Sequence, residues 1–181
     1  QKMGWHSSDT ATLYFQNCRV PAANLLGMEN MGFMGIMQNF NSERLGIAAQ
    51  ALGLGRACLQ EASDYAKLRE TFGKPLVKHQ AIRHKLVEMR MRLLAGYSSL
   101  YDMTYRCSKG ETPVADLSLL KNYCTETLEF CANAGVQILG GAGFMLGTKV
   151  ERIYRETKVL SIGGGSTEIM YDLAARQLGW A

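Results

Sequence analysis

Apolar and polar residues change their spacing along the chain, and these changes divide it into elements. Between about Ala11 and Val20 the two classes alternate in a stretch rich in β-favouring residues, which Pro21 closes; this predicts a strand. From about Met31 to Lys67 apolar residues recur every three or four positions, which predicts one long amphipathic helix. Because a lone strand cannot bury a face by itself, we interpret it as the trailing edge of a β region whose other strands lie outside this sequence.

The same periodicity predicts further helices. They run approximately from His79 to Cys107, from Pro113 to Ile138, from Val150 to Lys158, and onward from Ser166 or Thr167. Thr112 is the expected N-cap of the third long helix, and glycines 140, 141 and 143 are expected to end it. The predicted fold class is therefore all-α: an antiparallel four-helix bundle-like domain (residues 28–181) with a short N-terminal β remnant and linker (residues 1–27).

Composition excludes several classes of function. Of the 181 residues 47% are hydrophobic and 20% charged, which is typical of a folded domain. A net charge of +4 without a Lys/Arg run argues against nucleic acid, and no apolar stretch is long enough to span a membrane. The five cysteines lack a C-x-x-C pair and the three histidines lack metal-ligand spacing, so we expect reduced, buried thiols and no metal. The uncovered flanks of such long helices predict a homo-oligomer, a dimer or tetramer.

A pair of adjacent charges interrupts the first long helix. Between Asn30 and Gly55 the only charged residues are Glu43 and Arg44. A carboxylate buried there acquires a raised pKa or a paired cation, and either outcome makes Glu43 a candidate general base. A structural ion pair with a neighbouring helix is the alternative interpretation, and both stay open at this point.

Two further motifs suit a phosphate-bearing ligand, although an ordinary turn or loop explains each one alone. The run Gly163-Gly164-Gly165 before a helix brings backbone close to a ligand and aims N–H groups at it. The stretch from Arg69 to Gly73 sets a cation, a hydroxyl and an aromatic ring at a helix end, which suits pyrophosphate and ring contacts.

Taken together and in this order, these motifs resemble the acyl-CoA dehydrogenase family, in particular its branch of long-chain and isovaleryl-CoA dehydrogenases. The resemblance covers essentially the whole chain, and it rests on residues 3–10 (MGWHSSDT), 19–27 (RVPAANLLG), 41–44 (NSER), 69–76 (RETFGKPL), 79–80 (HQ), 137–144 (QILGGAGF) and 151–156 (ERIYRE). It implies α,β-dehydrogenation of an acyl-CoA thioester to the 2-enoyl-CoA, in which a carboxylate removes the α-proton while a hydride passes from the β-carbon to FAD. The implied partner is an electron-transferring flavoprotein.

The resemblance also implies roles for individual residues. Most family members carry the base directly before the Gly-Thr/Ser element that precedes the last helix, where this chain has Gly164, whereas the branch carries it on the first long helix, directly before an arginine, where this chain has Glu43. Asn41 and Arg44 are implied at the coenzyme A arm or behind the base, and Gly164 is implied to open space for a bulkier or branched acyl chain. Residues implied to contact FAD are Arg69, Thr71, Phe72, His79, Gln80, Gln137, Gly140, Gly141, Gly165, Ser166, Thr167 and Glu168, those from Arg69 to Gln80 serving a neighbouring subunit's flavin.

Two alternatives to the dehydrogenase hypothesis remain. An acyl-CoA oxidase would share the fold and pass its electrons to oxygen. A helical assembly module without activity is the other alternative, because most of the family's middle β domain lies outside this sequence. The expected compartment is the cytoplasm for a bacterial protein and the mitochondrial matrix for a eukaryotic one.

Overall fold

The structure, a computed structural model, describes residues 1–181 and is predominantly helical. In chain order it contains α1 (Gly32–Leu68), β1 (Glu70–Thr71), β2 (Lys74–Pro75), α2 (Gln80–Ser108), α3 (Val114–Leu139), α4 (Gly141–Phe144), α5 (Lys149–Ile162) and α6 (Thr167–Gln177), with single 3₁₀ turns at Ala22–Asn24 and Leu76–Lys78. The predicted all-α class is confirmed, while the division of the chain at residue 27 stays a prediction. None of the helices combines the length and apolar character needed to cross a membrane.

Helix boundaries follow the sequence pattern closely except at three places. α3 begins at Val114 with Pro113 at its N-cap position, so Thr112 lies one residue before the cap and its side chain caps nothing. α5 is longer than expected, because the Thr148 side chain caps its start and the helix continues to Ile162. The four-residue α4 occupies glycines that the pattern assigned to a helix end.

Helices α1, α2, α3 and α5 form the bundle, and each runs antiparallel to the one before it. Gly96 of α2 packs on Leu52 of α1, whereas Leu93, earlier in α2, packs beside Gly55, later in α1. Glycine at these crossings lets the helix axes approach closely. α5 begins beside the end of α3 and ends beside its start, so the predicted antiparallel arrangement is confirmed.

The N-terminal segment corrects one expectation. Residues 11–20 are exposed and form no strand, because no second strand lies beside them to complete a ladder. The only sheet is the short hairpin of β1 and β2, in which Glu70 pairs with Pro75 and Thr71 with Lys74. Gly4 packs against Glu156, so the start of the chain lies on α5.

Three of the five cysteines are buried thiols, as expected. Cys58, Cys124 and Cys131 are fully buried, and burial raises the pKa of each thiol to about 12. Such thiols are protonated and unreactive at neutral pH. Cys107 is only partly buried and Cys18 is exposed, which contradicts the expectation for these two.

α2 carries a row of exposed apolar side chains on its outer face. We call this row the α2 stripe; it consists of Val87, Met91, Leu94, Tyr101 and Tyr105. The spacing of four, three, seven and four residues keeps these side chains on one face over roughly 27 Å, since a helix rises 1.5 Å per residue. A narrow apolar seam with this repeat is the pattern by which one helix packs along another.

Candidate functional site

A turn of three glycines, Gly163 to Gly165, joins α5 to α6; we call it the glycine turn. Gly164 has φ +67° and Gly165 has φ +110°, backbone conformations that favour glycine. The turn delivers the chain to Ser166, whose hydroxyl accepts from Ile169 N (3.5 Å) and caps α6. The predicted start of the last helix is therefore confirmed.

Arg44 ties α1 to the glycine turn. Its side chain is almost fully buried, and its Nε donates to the backbone oxygen of Gly164 (3.1 Å). Its Nη1 donates to Asn41 Oδ1 (2.9 Å), one turn earlier in α1. Burial lowers the pKa of the guanidinium, and the neighbouring charge of Glu43 opposes that shift. Asn41 and Arg44 thus act as one hydrogen-bonded unit against the turn.

Lys121 holds the same turn from α3. The side chain is fully buried, and its Nζ donates to the backbone oxygens of Ser161 (2.9 Å) and Gly165 (2.7 Å). Burial is the main cause that lowers the pKa of this ammonium, and the charge of Arg44 adds to it. Next to it, Asn122 Nδ2 donates to Thr167 O (2.9 Å).

The two cations orient the peptide groups of the turn. In a trans peptide the N–H points opposite to the C=O, and no peptide bond here is cis. The N–H of Gly165 therefore points away from Arg44, and the N–H of Ser166 points away from Lys121. The amides of Gly164, Gly165 and Ser166 have no acceptor within the protein. Free N–H groups in successive left-handed residues, at the positive end of a helix, are suited to holding negative charge.

Glu43 lies on the outside of the bundle. It is exposed and takes part in no ion pair, so the expectation of a buried or paired carboxylate is wrong for this chain. Successive helical residues point about 100° apart, which is why Arg44 enters the bundle while Glu43 leaves it. The role of Glu43 as a base stays a prediction.

The space beside Gly164 is not vacant. A Cβ built on this glycine would lie 2.7 Å from Ile47 Cδ1. That Gly164 opens room for an acyl chain stays a prediction, because this contact concerns only the direction that a side chain at position 164 would take. The positive φ and the packing of Ile47 explain why a glycine stands at this position.

A cleft at the other end of the bundle brings together residues that lie far apart in sequence. It has a volume of about 480 Å³, and its lining includes Arg69, Thr71, Gly140 and Gly141. Gly140 ends α3 with φ +60° and so places the next backbone beside the hairpin. A cation, a hydroxyl and exposed glycine backbone in one cleft are suited to a phosphate-bearing ligand.

The remaining predicted residues of this end surround the cleft without lining it. His79 Nε2 lies 3.1 Å from Thr71 Oγ1 and so braces the hairpin against the start of α2. Phe72 projects from the hairpin tip almost fully exposed, with its ring 6.1 Å from the His79 ring. Gln80 and Gln137 are exposed at the start of α2 and the end of α3.

The two ends are far apart. Glu43 and Arg69 stand 26 positions apart on and just after α1, which corresponds to roughly 39 Å along the helix axis. The glycine turn lies beside the first position and the cleft beside the second. The cleft and the glycine turn of one chain therefore lie at opposite ends of α1.

Comparison with known proteins identifies this architecture. The family description "Acyl-CoA dehydrogenase, C-terminal domain" matches residues 30–179. The chain belongs to the acyl-CoA dehydrogenase family. It is 39% identical over 178 residues to an acyl-CoA dehydrogenase of Bacillus subtilis, covering 98% of this chain and 47% of that protein.

Solved structures in the family superpose closely on this chain. The acyl-CoA dehydrogenase of Geobacillus kaustophilus gives a TM-score of 0.96 at 34% identity, covering 98% of this chain and 47% of that one. Butyryl-CoA dehydrogenase of Megasphaera elsdenii gives 0.95 at 36% identity, covering 98% and 46%. The chain spans about half the length of the relatives it matches, so it corresponds to the C-terminal half of a family member.

The sequence interpretation missed Lys121, which proves central to the glycine turn. The signal was present, because Lys121 stands between Leu120 and Cys124 on the buried face of α3, where the helical pattern calls for apolar groups. A lysine at such a position is rare unless its ammonium has partners.

Proposed function

We propose that this chain is the C-terminal portion of a flavin-dependent acyl-CoA dehydrogenase that uses Glu43 as its catalytic base. One observation carries the proposal: Arg44, the residue next to Glu43, donates a hydrogen bond to Gly164 O (3.1 Å). The helix position and the turn at which family members place the base are therefore neighbours in space. A carboxylate on α1 serves the same reaction centre that a carboxylate at Gly164 would serve.

The residues present fit a flavin dinucleotide at both ends. Gly165, Ser166, Thr167 and Glu168 place the first turn of α6 beside one flavin. The cleft offers the cation of Arg69 and the glycine backbone to the diphosphate and adenosine of another, and His79 steadies the hairpin beside it. FAD, when bound, accepts the β-hydride of the substrate.

In this proposal a side chain of this chain removes the α-proton of the acyl-CoA. Glu43 takes the α-proton, the β-hydride leaves with its electron pair, and the α,β double bond forms from the electrons of the broken α-C–H bond. The α-proton is very weakly acidic, so negative charge on the thioester oxygen has to be stabilised; the free amides of the glycine turn are suited to this. Exclusion of water at Glu43 by the rest of the protein would strengthen the base.

The test is anaerobic bleaching of the full-length, FAD-loaded protein with straight-chain and branched acyl-CoAs. We expect the flavin absorbance near the visible maximum to fall with one substrate class and the matching 2-enoyl-CoA to form. Peroxide formed in air at one equivalent per enoyl product would instead indicate an oxidase. Failure of every acyl-CoA to bleach the flavin, or a protein that holds no flavin, would contradict the proposal and favour an assembly module.

The electron acceptor and the compartment belong to the same proposal. We propose an electron-transferring flavoprotein as acceptor, with the cytoplasm as compartment in a bacterium and the mitochondrial matrix in a eukaryote. Electron transfer is measured by acyl-CoA-dependent reduction of that flavoprotein under argon.

The α2 stripe supports assembly into a homo-oligomer. Leu94→Lys, in the middle of the stripe, places a charge where an apolar partner surface would lie, and we expect the molar mass in solution to fall by half or more. Light scattering after size exclusion measures it. Ser99→Lys is the matched control, since Ser99 is exposed on α2 away from the stripe. An unchanged mass in Leu94→Lys would remove the stripe from the interface.

A further inference from the structure

Lys121 is a full charge placed in the core without an ionic partner. The side chain is completely buried, and no carboxylate lies within ion-pair distance of its ammonium. Burying an unpaired ammonium costs several kcal/mol, so a merely structural position on α3 is served better by leucine or methionine. The cost indicates a function that an apolar side chain cannot supply.

The hydrogen-bond partners of the ammonium are all backbone oxygens. Its two acceptors are Ser161 O, in the last turn of α5, and Gly165 O, four residues further along. The carbonyl end of α5 carries partial negative charge, which favours a cation there. One nitrogen atom therefore fixes the separation between the end of α5 and the entry to α6.

Arg44 and Lys121 act on consecutive peptide groups. Arg44 binds the carbonyl of Gly164 and Lys121 binds the carbonyl of Gly165. Glycine peptides rotate easily, because glycine populates both signs of φ. Without Lys121 the Gly165–Ser166 peptide group has no side chain that restrains its orientation, and its free N–H loses a fixed direction.

We infer that Lys121 is a positioning residue, which holds the Gly165–Ser166 peptide so that the Ser166 amide and the first turn of α6 face the reaction centre. The inference rests on the proposed dehydrogenase function and deepens it. Lys121 touches neither substrate nor flavin in this role; it acts through the backbone that does.

The experiment compares Lys121→Met with Thr125→Val in the full-length protein. Methionine keeps the length and apolar stem of lysine and removes the ammonium. Thr125 is the matched control, because it is equally buried one turn later in α3 and bonds only to backbone oxygens of its own helix. Each variant is studied without flavin by hydrogen–deuterium exchange, and with FAD by the rate of flavin reduction by acyl-CoA.

Exchange of the glycine turn is read at the hydrogen-bonded amides that flank it, those of Gly163, Ile169 and Met170, because the unbonded amides have no protection to lose. For Lys121→Met we expect this exchange to become at least tenfold faster, with the middle of α1 and α2 unchanged. We expect flavin reduction at saturating acyl-CoA to slow at least tenfold, while KM changes less than threefold and bound flavin is retained. Thr125→Val is expected to leave exchange of the glycine turn and the reduction rate within twofold of the original protein.

Three results would overturn the inference. The first is unchanged exchange of the glycine turn in Lys121→Met; the second is equal acceleration in Thr125→Val. If Lys121→Met fails to fold, Lys121→Arg decides, since it keeps a cation: the inference requires turn exchange within threefold of the original protein, and faster exchange contradicts it. A parent protein that no acyl-CoA bleaches would defeat the proposed function instead, while the exchange comparison would still decide whether Lys121 holds the turn.

Discussion

Glu43→Gln is expected to lower kcat for acyl-CoA oxidation by about 10³-fold or more, while FAD stays bound. Glutamine keeps the shape of the side chain but cannot take up the α-proton, and loss of a general base costs about 10²–10⁴-fold. The groups assigned to flavin lie on the glycine turn, α6 and the distant cleft, so flavin content should not change. Stopped-flow reduction of the flavin under argon measures the effect, and the absorbance ratio of flavin to protein measures binding.

Glu29→Gln provides the matched control for this experiment. Glu29 is likewise exposed and without an ion pair, but precedes α1. The flavin of the Glu29→Gln variant should be reduced by acyl-CoA at the rate of the original protein. Retention of more than a tenth of the activity in Glu43→Gln would show that another group removes the proton, and Glu168, exposed in the first turn of α6, would be the next carboxylate to test.

Gly165→Ala is expected to lower the free energy of unfolding by about 2–4 kcal/mol. At φ +110° an L-residue is strained, a condition that costs about 1–3 kcal/mol. In addition, the new Cβ would collide with Met170 Cε, so the fully buried Met170 side chain has to shift, which adds overpacking energy. Urea unfolding followed by circular dichroism gives the difference.

Gly163→Ala is the matched control, because it makes the same substitution in the same turn at a glycine with negative φ. Gly163 has an ordinary negative φ of −64°, and its Cβ would come no closer than 3.2 Å to any atom, the Val159 oxygen. This variant should lose less than about 1 kcal/mol. Equal losses in the two variants would mean that the left-handed conformation of Gly165 is not the source of the effect.

Most of the helical framework follows from the sequence because its cause is local. The three- to four-residue repeat of apolar side chains predicts α1 and α2 to within one residue at each end. Ser166 is recognisable as a cap because it stands directly before an acidic first turn, where a hydroxyl can accept from a free amide. The strand expected at residues 11–20 fails for the opposite reason, since a ladder depends on a partner that local spacing does not reveal.

The site is only partly predictable for a related reason. Apolar neighbours mark Glu43 and Arg44 as unusual, but do not tell which of the two enters the bundle; packing against the glycine turn decides that. The role of Lys121 depends on backbone oxygens 40 and 44 residues away. The cleft is also only partly predictable, because the resemblance implies FAD contacts for the hairpin and for the glycines that end α3 but does not place them in one cleft.

The distance between the two ends of α1 links the supply of cofactor to the association of the protein's copies. If each dinucleotide binds to the cleft of one copy and to the glycine turn of another, the cofactor also holds the two copies together. Ligand binding and association then become linked equilibria, in which each raises the apparent strength of the other. Scarcity of the vitamin-derived cofactor would loosen the quaternary structure, and dilution of the protein would release the cofactor.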